Sequence, residues 1–120
     1  MSELKGRRFH IIVDAYNCNE QILDDKKNLE EAIREIAKLC DMSILYGPVI
    51  IQGEPYNPGL TGFTIIDFSH ISIHTFTKEK EMCVDVFSCK KYDNEQVKNY
   101  VIEKFKLDKK FVKYIEVKYP

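Results

Sequence analysis

The sequence predicts an α+β fold: a two-layer sandwich in which a largely antiparallel sheet carries its helices on one face. Two observations point there. Segments dense in Ile, Val, Phe and Thr recur along the chain, and only two segments carry helical periodicity. The resulting order is β-α-β-β followed by β-β-α-β. The two halves echo each other in this order, although no sequence repeat is detectable.

Taken in order, Phe9 to Ala15 is mostly apolar and reads as a strand with neighbours on both sides. A helix is predicted from about Asn28 to Cys40. Leu29, Ile33, Ile36, Ala37 and Cys40 form its apolar stripe, and Asn28 with Glu31 resembles a capping box. Met42 to Gln52 reads as a second strand, with a break suggested at Gly47-Pro48. Gly53 to Gly59 is a loop on turn chemistry alone. Two short strands then meet within Phe63–Phe76, and another runs from Met82 to Cys89. Asp93 with Gln96 caps a second helix whose Val97, Val101 and Phe105 share a face, with Tyr100 at its edge. Phe111 to Tyr119 closes the chain as an edge strand, its faces mixed and rich in lysine.

The 120 residues suit one domain, 1–120, and with 44% hydrophobic and 31% charged residues the chain is an ordinary globular one. Lys and Arg number 18 against 19 Asp and Glu, so no basic field exists to hold nucleic acid. No apolar run approaches the ~20 residues of a membrane span, and Met1-Ser2-Glu3-Leu4-Lys5 does not read as a signal peptide. The expectation is a cytoplasmic protein with no nucleic-acid and no membrane partner. Cys18, Cys40, Cys83 and Cys89 contain no C-x-x-C pair and are expected to be separate thiols, neither a zinc site nor disulfides.

The stretch around Ser69 carries the chemistry. From Ser69 onward, Ser69, Ile71, Ile73 and Thr75 point one way, and His70, Ser72, His74 and Phe76 the other. One face thus holds two imidazoles, a hydroxyl and an aromatic ring, a set that needs partners if buried. Two histidines in one strand invite a metal reading, but there is no H-E-x-x-H, and no metal is expected. Nor does any G-x-S-x-G elbow support a serine hydrolase.

The run Thr61-Gly62, then Ser69-His70-Ile71-Ser72-Ile73-His74-Thr75, then Val84-Asp85-Val86-Phe87-Ser88-Cys89, resembles the prokaryotic S-adenosylmethionine decarboxylase proenzyme family. The opening Gly6-Arg7-Arg8-Phe9-His10-Ile11-Ile12-Val13-Asp14-Ala15-Tyr16-Asn17-Cys18 is similar to that family's first strand. The resemblance implies the same sandwich and a homodimer with active sites near the subunit boundary. It also implies that Ser69 attacks the carbonyl of Phe68, splitting the chain into 1–68 and 69–120 and leaving a pyruvoyl group made from Ser69 as the only cofactor. That ketone would form a Schiff base with a substrate amine and draw electrons as carbon dioxide leaves.

By position, the resemblance gives Thr61 a hydrogen bond to the developing oxyanion, His74 the proton transfer of processing, and Cys89 the donation of a proton to the product. Read without the family, Thr61-Gly62 is a turn into a strand, His74 a satisfied half-buried histidine, and Cys89 a small apolar residue at a strand end. Cys83 matches no family cysteine and reads as core. The implied activity is a carboxy-lyase reaction on S-adenosylmethionine in polyamine (spermidine) biosynthesis.

The chain departs from the family pattern at three places. Phe68 precedes the scissile bond where glutamate is common, which leaves open an unprocessed, non-catalytic relative acting as a binding or regulatory subunit. Tyr56 sits one residue out of register with the aromatic that stacks on adenine, so it either stacks or covers the core. Phe76-Thr77-Lys78 replaces tryptophan-proline-glutamate, placing Glu79 one residue late for the ribose hydroxyls. Departures in substrate recognition alone fit an arginine or ornithine decarboxylase on the same machinery, with Glu54, Glu79 or Glu81 pairing a cationic side chain.

Overall fold

The structure, a computed structural model, describes residues 7–119; the Met1–Lys5 segment considered above for a leader lies outside them. Six strands are present: β1 (Phe9–Ala15), β2 (Ile44–Gln52), β3 (Leu60–Ile66), β4 (Ser69–Phe76), β5 (Glu81–Ser88) and β6 (Val112–Val117). Three helices accompany them: α1 (Glu20–Leu23), α2 (Lys26–Leu39) and α3 (Asn94–Lys104). The strands form one sheet in the order β2-β3-β4-β5-β1-β6, and every neighbouring pair is antiparallel. The predicted α+β sandwich is therefore the observed one, with β6 at an edge and β1 paired on both sides.

One face of the sheet is covered. Ile11 and Val13 of β1, Ile71 and Ile73 of β4, and Val84 and Val86 of β5 are fully or almost fully buried beneath the helices. From above, Leu29, Ile33 and Ile36 of α2 and Val97 and Val101 of α3 complete the core. The strands β1, β3, β4 and β5 therefore send every second residue inward, the period-two pattern that also fixes their register. The buried Thr75 hydroxyl is satisfied twice, donating to the Leu23 carbonyl at 3.0 Å and accepting from the Leu60 N–H at 2.9 Å.

Several boundaries shift. α2 begins before Asn28, because the Asp25 carboxylate accepts from the Asn28 N–H at 3.0 Å and takes the cap. A carboxylate there also meets the positive end of the helix, an advantage Asn lacks. The short α1, capped by Asn19, has no counterpart among the elements expected from sequence, being too brief to show periodicity. β2 runs through Gly47-Pro48 as one strand whose register shifts there. Phe111 belongs to a short 3-10 turn before β6.

Gly62 is not part of a turn but lies within β3, under α2. A Cβ there would come within 2.7 Å of Ile33 Cδ1 and 3.1 Å of Leu29 Cδ2, so glycine lets the helix seat directly on the strand.

Among the described residues, no helix lies over the other face of the sheet. There Ile51 is 61% exposed, Phe63 38% and Ile65 41%, beside the histidines of β4. Cys83 belongs to this face too. It pairs across from His74 and is half-buried, which corrects its reading as core.

Candidate active site

The bond between Phe68 and Ser69 sits in the tightest connection of the sheet. β3 ends at Ile66 and β4 begins at Ser69, so Asp67 and Phe68 alone make the turn. The turn is pinned from one side by Ser43, whose N–H donates to Asp67 Oδ1 at 3.1 Å and whose carbonyl accepts from the Asp67 N–H at 3.0 Å. From the other side the Cys89 N–H donates to the Phe68 carbonyl at 3.0 Å. Lys90 places its ammonium 5.2 Å above the Phe68 ring while its Nζ also donates to the Asp41 carbonyl at 2.7 Å.

Ser69 itself has φ 151. The other non-glycine residues with positive φ among the described residues lie between 52 and 60, ordinary left-handed values. Ser69 stands apart, in a region that L side chains rarely enter, at a cost on the order of 1–3 kcal/mol. Strain and a hydrogen-bonded carbonyl thus meet at the bond between Phe68 and Ser69. An N–H aimed at a carbonyl oxygen is what a developing oxyanion requires.

Thr61 and His74 lie elsewhere. They face each other across β3 and β4, with Thr61 Oγ1 3.2 Å from His74 Nδ1. His74 lies five positions beyond Ser69 along β4, about 16 Å at the usual strand rise. Within one chain, therefore, neither group reaches the Phe68–Ser69 bond. The other recognition candidates gather at this same far end. Tyr56 is in the β2–β3 loop and 83% exposed; Phe76 ends β4 and is half-buried. Glu79 is exposed in the turn between β4 and β5, so the one-residue offset no longer forces it onto the opposite face.

The thiols are separate, all four cysteines being free. Cys89 is exposed, and its own backbone N–H fixes it beside residue 68. Burial pushes the thiols of Cys18 and Cys83 up to about 11 and that of Cys40 to about 12. His70 and His74 share a face but sit about 13 Å apart along β4, and no group of three or more metal-ligating side chains occurs among the described residues.

A further polar group occupies the uncovered face close to Ser69. Asp85 of β5 accepts from His10 Nε2 at 3.0 Å to each oxygen, and His70 Nε2 lies 3.9 Å from it. His70 Nδ1 is 3.4 Å from Ser69 Oγ. Local sequence pattern holds no sign of this group, because His10 and Asp85 are 75 positions apart. Only the β1–β5 register brings them together, His10 pairing with Phe87 two residues beyond Asp85.

Fold and strained, hydrogen-bonded turn together fit the carboxy-lyases whose relatives are named as proenzymes. The S-adenosylmethionine decarboxylase family model matches residues 9–117, and the chain belongs to that family. Among its relatives, proteins named S-adenosylmethionine decarboxylase proenzyme come from Thermococcus gammatolerans and Saccharolobus islandicus. The first is 32% identical over 107 residues, covering 88% of this chain and 73% of that protein. The second is 38% identical over 90 residues, covering 74% and 70%. The crystal structure of the adenosylmethionine decarboxylase from Aquifex aeolicus superposes with a TM-score of 0.75 at 24% identity, over 92% of this chain and 88% of that one, and shares the fold.

Proposed function

We propose that this chain is a self-cleaving proenzyme that breaks between Phe68 and Ser69 and then decarboxylates S-adenosylmethionine for polyamine synthesis. The observation that carries this reading is the Phe68 carbonyl held by the Cys89 N–H next to a strained Ser69. Attack by the Ser69 hydroxyl turns that amide into an ester; elimination frees 1–68 as a carboxylate, and hydrolysis releases the residue 69 nitrogen as ammonia, leaving 69–120 with a pyruvoyl group at its start. The residues present fit such a group: a serine at the start of a strand, its preceding carbonyl already bonded to an N–H, and a thiol on the same residue as that N–H. Once formed, the ketone supplies a carbonyl for the substrate amine and an electron sink for the departing carboxylate. Cys89 supports the reading as proton donor to the product.

The working unit in this reading is a homodimer. Ser69 and Cys89 lie at one end of β4, Thr61 and His74 at the other, and the uncovered face between them carries Phe63 and Ile65 beside His70 and Asp85. Two copies packed across that face about a two-fold axis bring one copy's Ser69 toward the partner's His74 and the partner's Thr61. The partner's Tyr56, Phe76 and Glu79 come with them, at the substrate. Phe68 is compatible with cleavage, since the acyl shift uses its carbonyl, and its side chain is packed partly against the core under Lys90.

Intact mass spectrometry of freshly purified protein tests the proposal. Two fragments are expected, split after residue 68, the second with a blocked N-terminus and a carbonyl reactive toward hydrazines. A chain that stays whole under native conditions overturns it. Lys78 in the β4–β5 turn, where an acid would meet the ribose, keeps arginine or ornithine as a second substrate reading. Carbon dioxide release from carboxyl-labelled S-adenosylmethionine, arginine and ornithine decides between them.

A further inference from the structure

Two different protons must move during the proposed self-cleavage, and the side chains around Ser69 separate them. The first leaves the Ser69 hydroxyl as it attacks. The second leaves the Ser69 α-carbon during elimination. His74 is about 16 Å away along its own chain, whereas His70 is the imidazole nearest the hydroxyl, at 3.4 Å.

We infer that His70 is the base for the first proton, and that Asp85, itself held by His10, is the positioning residue that keeps His70 in the required tautomer. This rests on the self-cleavage proposed above and names the group that starts it. To accept from Ser69 Oγ, His70 must carry its hydrogen on Nε2. That nitrogen faces the Asp85 carboxylate at 3.9 Å, which favours a hydrogen there and stabilises the imidazolium once formed. Asp85 is fixed by His10, whose Nε2–H donates to both carboxylate oxygens; this leaves His10 Nδ1 to accept from the Tyr119 hydroxyl at 3.0 Å. One tautomer for each histidine satisfies the bonds of His10 and turns the His70 Nε2–H toward Asp85, at ion-pair rather than hydrogen-bond distance.

Packing holds the His70 ring in place. Phe63 of β3 stacks on it at 5.5 Å between centroids, and Phe87 of β5 lies 5.6 Å away on a tilted plane. The charged and titratable groups facing His70 are therefore few: Asp85 from β5 directly, His10 from β1 behind it, then Tyr119 with Arg8 6.0 Å from its ring. Phe63 is the β3 side chain stacked there, and it bears no charge.

The step balances as an isomerisation. The Ser69 Oγ–H bond breaks and its proton goes to His70 Nδ1 while Oγ bonds to the Phe68 carbonyl carbon. The carbon–nitrogen bond then breaks, and the proton passes from His70 to the freed α-amino nitrogen, leaving an ester. The partner's His74 remains available for the proton on the α-carbon.

The test tracks ester formation, not decarboxylation. Chains carrying His70→Gln, Asp85→Asn or His10→Gln are purified and checked for folding by circular dichroism. Cleavage is monitored by mass, and hydroxylamine, which opens esters but not amides, is applied to uncleaved chains. His70→Gln is expected to slow cleavage by about 10²-fold or more, leaving whole chain that resists hydroxylamine. Asp85→Asn is expected to slow it by about tenfold or more, and His10→Gln by less. Free imidazole added to His70→Ala is expected to restore part of the rate, which a merely structural role would not allow.

Cleavage of His70→Gln at the wild-type rate, or a folded His70→Gln chain that hydroxylamine opens, overturns the assignment. If His70→Gln does not fold, Asp85→Asn decides alone: unaltered cleavage overturns it. Wild-type protein that never cleaves sinks the self-processing proposal itself, a result distinct from any of these.

Discussion

The two ends of β4 are built to different degrees of completeness. At the Ser69 end one chain assembles a strained residue, a hydrogen-bonded carbonyl, a thiol and an imidazole backed by a carboxylate. At the Phe76 end it assembles a threonine–histidine pair and the candidate recognition side chains Tyr56, Phe76 and Glu79. On the proposed reading, the difference teaches that bond breaking is prepared locally by backbone geometry, whereas recognition and later proton transfer wait for a second copy.

The largest effect that tests this contrast is Ser69→Ala. It is expected to leave the chain uncut on denaturing electrophoresis and to abolish carbon dioxide release. Next comes complementation between ends. Co-expressed Ser69→Ala and His74→Ala chains are expected to yield mixed dimers in which the His74→Ala chain is cut, because its missing imidazole comes from the other subunit; His74→Ala alone stays largely uncut. Cutting of His74→Ala by itself at the wild-type rate would show that the Ser69 end is self-sufficient and the contrast too sharp.

Cys89→Ala separates the two tasks of that residue. Its N–H remains, so cleavage is expected at nearly the normal rate, while decarboxylation falls by about 10²–10⁴-fold in kcat. Smaller effects concern the two faces of the strand. Ile73→Ala on the covered face is expected to cost about 2–5 kcal/mol in urea unfolding. Phe63→Ser on the open face is expected to cost about 1 kcal/mol or less within a chain, yet to shift sedimentation toward monomer. Last, alkylation at pH 8 is expected to label Cys89 first, since burial holds Cys18, Cys40 and Cys83 at about 11 to 12.

Much of this was legible in the residues because period-two alternation is a local signal. Ile71, Ile73 and Thr75 fall on the buried face as their spacing requires, and the stripe of α2 is buried from Leu29 to Cys40. Caps were less legible: Asp25 and Asn28 both suit an N-terminus, and only the fold shows which carboxyl or amide meets the free N–H. Gly62 read as a turn because its actual constraint, Ile33 pressing on it, comes from a distant helix. The split of the site was hidden because spacing along a strand says which side chains share a face, not how far apart chemistry can operate. The His10–Asp85–His70 group was hidden for the opposite reason, since strand register joins residues no local window contains.

The proposed cut falls between strands that the sheet interleaves. Residues 1–68 supply β1, β2 and β3, and residues 69–120 supply β4, β5 and β6, yet β1 lies between β5 and β6 while β3 borders β4. The two pieces are interwoven, so scission frees two chain ends without freeing either polypeptide. To come apart they would have to unzip three ladders at once. The mature molecule should therefore melt as a single cooperative body made of two peptides that never dissociate on dilution.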